Sequence, residues 1–288
     1  MQYNSGAQLD PSQMGSGGGG RRGGGIAVGG GAGILILILA LLFGFDPGAI
    51  LGGGGTGTTG ETGNKYAECK TGADIATNRD CRFVAYTNSI QAYWKEALPG
   101  YEQSKTYTFT GSVQTGCGTA TSDVGPFYCP ADNTVYLDTS FFDEMLPQLG
   151  AMGGDAAEAY VIAHEYGHHI QNLTGIMGKV QAQGQTTGPT SPAVRLELQA
   201  DCYAGAWLRH ATSEAGSPIA QVTADDLNRA VDAAIAVGDD KVQQTTSGRV
   251  SMESWTHGSS AQRKKWLATG YNSGDPNQCN TFGAASLG

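Results

Sequence analysis

The chain has 288 residues, 45 of them glycine, and a formal charge of −9 from 17 basic and 26 acidic side chains. That length holds one substantial domain with appendages. An acidic chain with no basic patch has nothing to neutralise phosphates, which excludes nucleic acid as a partner and leaves the charge to solubility.

Glycine dominates the first 63 positions, in segments such as GSGGGGRRGGG and LGGGGTGTTGETG that carry too few side chains to bury a core. Between them lies IAVGGGAGILILILALLFGF, residues 26–45, an uncharged stretch of 20 residues. As a helix it spans about 30 Å, the hydrocarbon thickness of a bilayer. Arg21 and Arg22 precede it and Asp46 follows it. The positive-inside rule then predicts a cytoplasmic N-terminus and everything after residue 45 outside. No Ala-x-Ala pattern follows the apolar stretch, so it reads as an anchor rather than a cleaved signal. The predicted organisation is a Gly-rich cytoplasmic tail (1–25), a transmembrane signal anchor (26–45), a Gly/Thr-rich linker (46–64) and an extracytoplasmic domain (65–288).

All six cysteines follow the apolar stretch. An even number on the predicted outer side fits disulfides in an oxidising compartment, and no Cys-x-x-Cys occurs to support a zinc ribbon. Cys69 and Cys81 are close in sequence, as are Cys117 and Cys129, which leaves Cys202 with Cys279.

Along the domain, residues 79–98 place Phe83, Ile90, Trp94, Ala97 and Leu98 at helical spacing before Pro99-Gly100. KTYTFTGSV and NTVYLDTSFF alternate like strands, with GCGTATSDVGPFYCPAD between them as a disulfide-pinned loop. NTVYLD is the expected edge strand that would bind an extended substrate through its backbone. DAAEAYVIAHEYGHHIQNLTG predicts a helix with Asp155 as N-cap, Glu158 completing an analogue of the capping box, and Gly175 as its stop. The loop KVQAQGQTTGPT follows. A second helix starts at Ser191-Pro192 and runs through AVRLELQADCYAGAWLRH. A third is capped by Thr223 and ended by Gly238, and a fourth covers about residues 260–270. The expected fold class is α+β, dominated by helices, with a small β-sheet.

His164 and His168 lie four apart, so they stand about 40° apart on one helix face and reach the same point in space. Glu165 sits within the same turn, close enough to touch a water on a metal held by the two imidazoles. His-Glu-x-x-His is the pattern in which two neutral imidazoles bind zinc and the glutamate acts as general base. His169 is rotated about 140° from His164 and is expected to be a partly exposed helix residue. A catalytic zinc needs a third protein ligand and one open position. The long zincin signature asks for Gly and His three and six residues after the second ligand, where this chain has Gln171 and Thr174. ELQAD offers a carboxylate instead: Glu197 as ligand, with Asp201 one turn on to accept a hydrogen bond from the far nitrogen of a ligating histidine. His210 lies about 220° around that helix from Glu197 and points elsewhere.

HEYGHHIQ, followed by ELQADCYAGAW and THGSSAQRKKW, resembles the bacterial neutral zinc metallopeptidases, which are membrane-anchored, gluzincin-like proteins. GPFYCPADNTVYLD is similar to the stretch before the active-site helix in that family. The resemblance covers about residues 79–271. It implies a zincin-like metallopeptidase domain, one Zn²⁺ bound by His164, His168 and Glu197, a catalytic Glu165, and a place in the bacterial inner membrane. Peptide-bond hydrolysis is the expected chemistry, acting on extracytoplasmic proteins or peptides. His257, in WTHGSS, is the candidate stabiliser of the tetrahedral oxyanion, with Arg263 and Tyr203 as reserves. Two other readings stay open: a zinc-binding scaffold without activity, and a zinc hydrolase of a cell-wall amide. Retention of Glu165 argues against the scaffold, because a structural zinc takes four protein ligands and needs no base.

Overall fold

The structure, a computed structural model, describes residues 1–18, 64–213 and 216–288. Its α-helices of six residues or more are α1 (Cys81–Ala97), α2 (Asp155–Leu173), α3 (Ile176–Gln181), α4 (Pro192–His210), α5 (Ala224–Ala236), α6 (Asp239–Ser247) and α7 (Ser260–Ser273). The strands are β1 (Gln2–Tyr3), β2 (Met14–Gly18), β3 (Lys105–Thr110), β4 (Ser112–Thr115), β5 (Gly118–Thr121), β6 (Phe127–Cys129), β7 (Thr134–Asp138) and β8 (Ile219–Gln221). The helix-rich α+β class expected from the pattern is the class observed.

Local signals set most helix ends. Ser191 accepts from the Val194 amide and Pro192 opens α4. Thr223 and Asp226 form a reciprocal capping box on α5. Gly175 adopts a left-handed φ of 73° just after α2, where a side chain would be strained. The start of α2 departs from expectation. Gly154 is the N-cap, and Glu158 does not reach back to it; Glu158 instead takes the Nε and Nη2 protons of Arg82 on α1, while Asp155 accepts from Arg79 and Tyr3. Tertiary pairing with α1 displaces the local cap. The predicted loop after α2 also carries α3, which packs Met177 and Val180 inward.

Two close helix contacts depend on glycine. A Cβ on Gly167 of α2 would stand 2.8 Å from the Cα of Ala200 on α4. A Cβ on Gly270 of α7 would stand 1.8 Å from the carbonyl oxygen of Cys202, and one on Gly205 of α4 would stand 2.1 Å from that of Leu267. Missing side chains therefore let α4 lie against α2 on one side and α7 on the other. Trp94, Trp207, Tyr160, Tyr166 and Ile162 fill the core around these contacts, each at most 2 % exposed.

The main sheet has the order β2-β3-β7-β6, parallel in its first two pairings and antiparallel between β7 and β6. β7, expected at an edge, is an interior strand between β3 and β6; the edge on that side is β6. β4 and β5 form a separate antiparallel hairpin. The bridges Cys69–Cys81, Cys117–Cys129 and Cys202–Cys279 pair as the spacing predicts.

The expected membrane placement is corrected. Residues 26–45 lie outside the described residues, and among those described no helix is long and apolar enough to cross a membrane. The first residues, assigned by sequence to the opposite side of a bilayer from the domain, pack directly on it. β2 pairs with β3 over five registered positions, β1 pairs with β8, and Leu9 and Met14 enter the main core. The Tyr3 hydroxyl shares a hydrogen bond with that of Tyr86 at 2.6 Å and donates to Asp155 at 2.9 Å. Backbone pairing of this kind cannot cross 30 Å of hydrocarbon, so a cytoplasmic N-terminus with an external domain does not stand.

Candidate metal centre

α2 presents His164 and His168 on the face turned to α4, and α4 presents Glu197 and Asp201 back to α2. The close approach at Gly167 and Ala200 holds the two faces together. His164 Nε2 lies 3.2 Å from Glu197 Oε2, and His168 Nε2 lies 3.5 Å from Glu197 Oε1. One donor atom from each of these three buried residues falls within 4.8 Å of the others. Ligands about 2.1 Å from a tetrahedral zinc stand roughly 3.4 Å from one another. The donor types and their separations therefore fit zinc.

Each imidazole is oriented from behind. His164 Nδ1 lies 2.8 Å from Asp201 Oδ1, so with Nε2 facing the cluster the Nδ1 proton is donated to the carboxylate. Asp201 is itself gripped by Arg263, through Nε to Oδ2 at 2.8 Å and Nη2 to Oδ1 at 2.9 Å, and by the Tyr160 hydroxyl at 2.6 Å. Burial would raise the Asp201 carboxyl, but Arg263 and His164 outweigh it and hold the pKa at about 2. His168 is oriented differently, by a neutral amide: its Nδ1 lies 2.9 Å from Gln171 Oε1. Gln171 in turn donates to the Leu196 carbonyl at 2.7 Å and to Gln199 Oε1 at 3.1 Å, and Gln199 donates to the Cys279 carbonyl at 2.9 Å.

Glu197 keeps its charge despite burial, which would raise it, because His168, His257 and His164 pull it well below the usual carboxylate range. Glu165 behaves oppositely. Burial raises its carboxyl, and the two neighbouring imidazoles offset only part of that. Glu165 lines the same cleft as the three donors.

His257 also lines this cleft. Asp239, at the start of α6, accepts the backbone N–H groups of Thr256, His257 and Gly258 at 2.7–2.9 Å and lies 3.3 Å from His257 Nδ1. The loop before α7 is thus pinned so that His257 faces the cluster. The reserve candidates fare differently. Arg263 reaches the cleft, but its guanidinium is taken up by Asp201 and Tyr160. Tyr203 packs edge-on against Trp94, with centroids 5.3 Å apart, and does not line the cleft.

His210 points away as expected, stacked on Tyr93 at 5.5 Å. His169 does not match its expectation of partial exposure: it is fully buried. Its Nδ1 accepts from the Tyr128 hydroxyl at 3.0 Å and its Nε2 donates to the Glu102 carbonyl at 2.7 Å. The sheet packs over that face of α2, where helical periodicity predicted solvent. Sequence reasoning also passed over Gly167, Tyr160, Gln171 and Asp239. Tyr160 and Gln171 had a usable signal, four residues before one histidine and three after the other. Asp239 had none.

A family model described as "Putative neutral zinc metallopeptidase" matches residues 4–282. The chain belongs to that family. The match extends past the 79–271 span of the motif resemblance and takes in the N-terminal residues that pack on the sheet. Among its relatives, an uncharacterized protein of Mycobacterium tuberculosis, Rv2575, is 52 % identical over the full length of both. The Mycobacterium bovis protein Mb2605 shows the same identity and coverage. The uncharacterized protein YpfJ of Escherichia coli K12 is 50 % identical over 64 % of this chain and 63 % of its own. No solved structure matches. The family implies zinc, and the cluster of His164, His168 and Glu197 is where these residues could hold it.

Proposed function

We propose that this chain is a zinc-dependent endopeptidase that hydrolyses peptide bonds of proteins or peptides. The observation that carries the reading is the donor cluster together with Glu165. Three buried side chains that could ligate a metal converge, and the carboxylate-bearing Glu165 lines the same cleft without joining them. A structural site would use all four positions.

Bound there, zinc would supply Lewis acidity towards a carbonyl and acidify a water. Glu165 would take the proton of the attacking water and deliver it to the leaving nitrogen. Asp201 and Gln171 hold the two imidazoles in the tautomer that leaves Nε2 free to ligate. His257, anchored through its backbone by Asp239 and with Nδ1 3.0 Å from the Thr256 hydroxyl, would donate its Nε2–H to the developing oxyanion. The three disulfides suit an oxidising compartment.

The test is metal analysis of the purified chain followed by digestion of an unfolded protein and of peptidoglycan. The reading expects one zinc per chain and cleavage of the polypeptide that stops with a chelator and returns with zinc. Zinc without any hydrolysis would favour a scaffold, and release of peptidoglycan fragments alone would favour a cell-wall amide hydrolase.

A further inference from the structure

The cleft that contains the donor cluster continues beyond it into an apolar lobe, and its empty space, counted out to the open mouth, is about 870 Å³. Val124, Phe127, Phe141, Leu149, Val237 and Val242 line this apolar part of the cleft. All but the half-buried Val237 are less than 9 % exposed, so this wall belongs to the packed body of the protein. Four separate segments build it: β6 with the turn before it, the helical turns over residues 141–149, the end of α5, and α6.

Among the described residues, the formally charged side chains that line the cleft are Glu165, Glu197 and Arg263. Glu197 faces both imidazoles, Arg263 is paired with Asp201, and Glu165 is the base of the proposed reaction. A charged side chain entering the lobe would lose its hydration and meet no free counter-charge among the described lining residues, which costs far more than an apolar side chain gains or loses there. A large apolar side chain would instead cover wall surface already dry on its other side.

Resting on the peptidase reading, we infer that this lobe receives the side chain of a residue flanking the scissile bond, and that this residue is large and apolar, aromatic or branched aliphatic. The lobe is continuous with the donor cluster, so the occupant is part of the molecule whose bond is cut. Val242 is the residue best placed to set the size limit. It lies one turn after Asp239 on α6, so the helix that pins His257 also shapes the lobe. Met145, partly buried on the helical turns between β7 and α2, lines the same cleft, where a substituted charge would meet the incoming side chain.

The experiment uses the zinc-loaded full chain and matched fluorogenic peptides that differ at one position beside the cleaved bond: Phe, Leu, Ala, Asp or Lys. Phe or Leu should be cleaved with kcat/KM at least about tenfold above Ala, the scale on which apolar pockets discriminate, and Asp and Lys should fall below Ala. Val242→Phe should narrow the Phe-to-Ala ratio by filling the lobe. Met145→Lys should raise cleavage of the Asp peptide relative to the Lys peptide. Equal cleavage of all five by the unmodified chain, or a preference for a charged residue, overturns the inference and leaves the peptidase reading intact. Failure to cut any peptide or unfolded protein while zinc is bound overturns both.

Discussion

His168 donates a hydrogen bond from Nδ1 to Gln171 Oε1, 2.9 Å away and one turn along the same helix, and Gln171 passes the orientation on to Gln199 and the Cys279 carbonyl. One ligand is thus steered by a neutral amide chain that ends at the Cys202–Cys279 bridge, the other by the carboxylate of Asp201. Gln171→Met keeps the volume and removes the hydrogen bonds. It should weaken zinc binding by roughly 10–100-fold, as loss of an orienting partner does. Competition with a chromophoric chelator measures this, and wild-type affinity in the variant would show that the amide chain is only structural.

Substitutions in the cluster itself should separate by what they remove. Glu165→Gln should keep zinc and lose hydrolysis by at least about 10²–10⁴-fold, the usual contribution of acid–base help. Glu197→Ala should release or weaken the metal. Asp201→Ala should fall between them, since it withdraws support from His164 and leaves Arg263 buried without its partner. Zinc content and kcat measured on the same samples give the order. Full occupancy and activity in Glu197→Ala would reassign the third ligand.

Removing the close approach between α2 and α4 should disturb the metal before it unfolds the protein. In Gly167→Ala the new methyl meets Ala200 at 2.8–3.0 Å, so the helices must part. The overpacking cost is about 1–3 kcal/mol, and the spacing between the histidines and Glu197 grows with it. Thermal unfolding with and without chelator should show the zinc-dependent stabilisation shrinking more than the stability of the metal-free chain.

The bridges should differ in what they contribute. Cys202–Cys279 closes 77 residues, whereas Cys69–Cys81 and Cys117–Cys129 each close 12. Chain-entropy arguments put these at about 4.5 and about 2.8 kcal/mol at 25 °C. The long bridge also fixes the C-terminal residues on α4, where Thr281 and Arg195 exchange hydrogen bonds. Denaturant titration of the three double-Ser variants should rank Cys202/Cys279 as the least stable.

The sequence by itself determined what depends on neighbours within a helical turn or on chemistry counted along the chain. His164, Glu165 and His168 were legible because the helix repeat puts side chains four apart on one face, whatever the rest of the fold does. Ser191, Thr223 and Gly175 marked helix ends because their own backbone and side-chain preferences act over three residues. The cysteine pairs were legible from spacing and parity. Tertiary structure alone decided the remainder. Whether Glu197 faces His164 and His168 depends on where α4 crosses α2, and that is set by Gly167 against Ala200, a contact between residues 33 apart in number. His169 was misjudged because helical periodicity separates faces but does not say which of them a sheet will cover. Residues 1–18 were misjudged for the same reason: their glycines suggested a tail, yet Gly15 and Gly17 are small because the ring of Tyr107 lies where their side chains would be. Asp239 holds His257 from a separate helix, and no spacing along the chain records a contact that exists only once both helices have packed on α4 and α5.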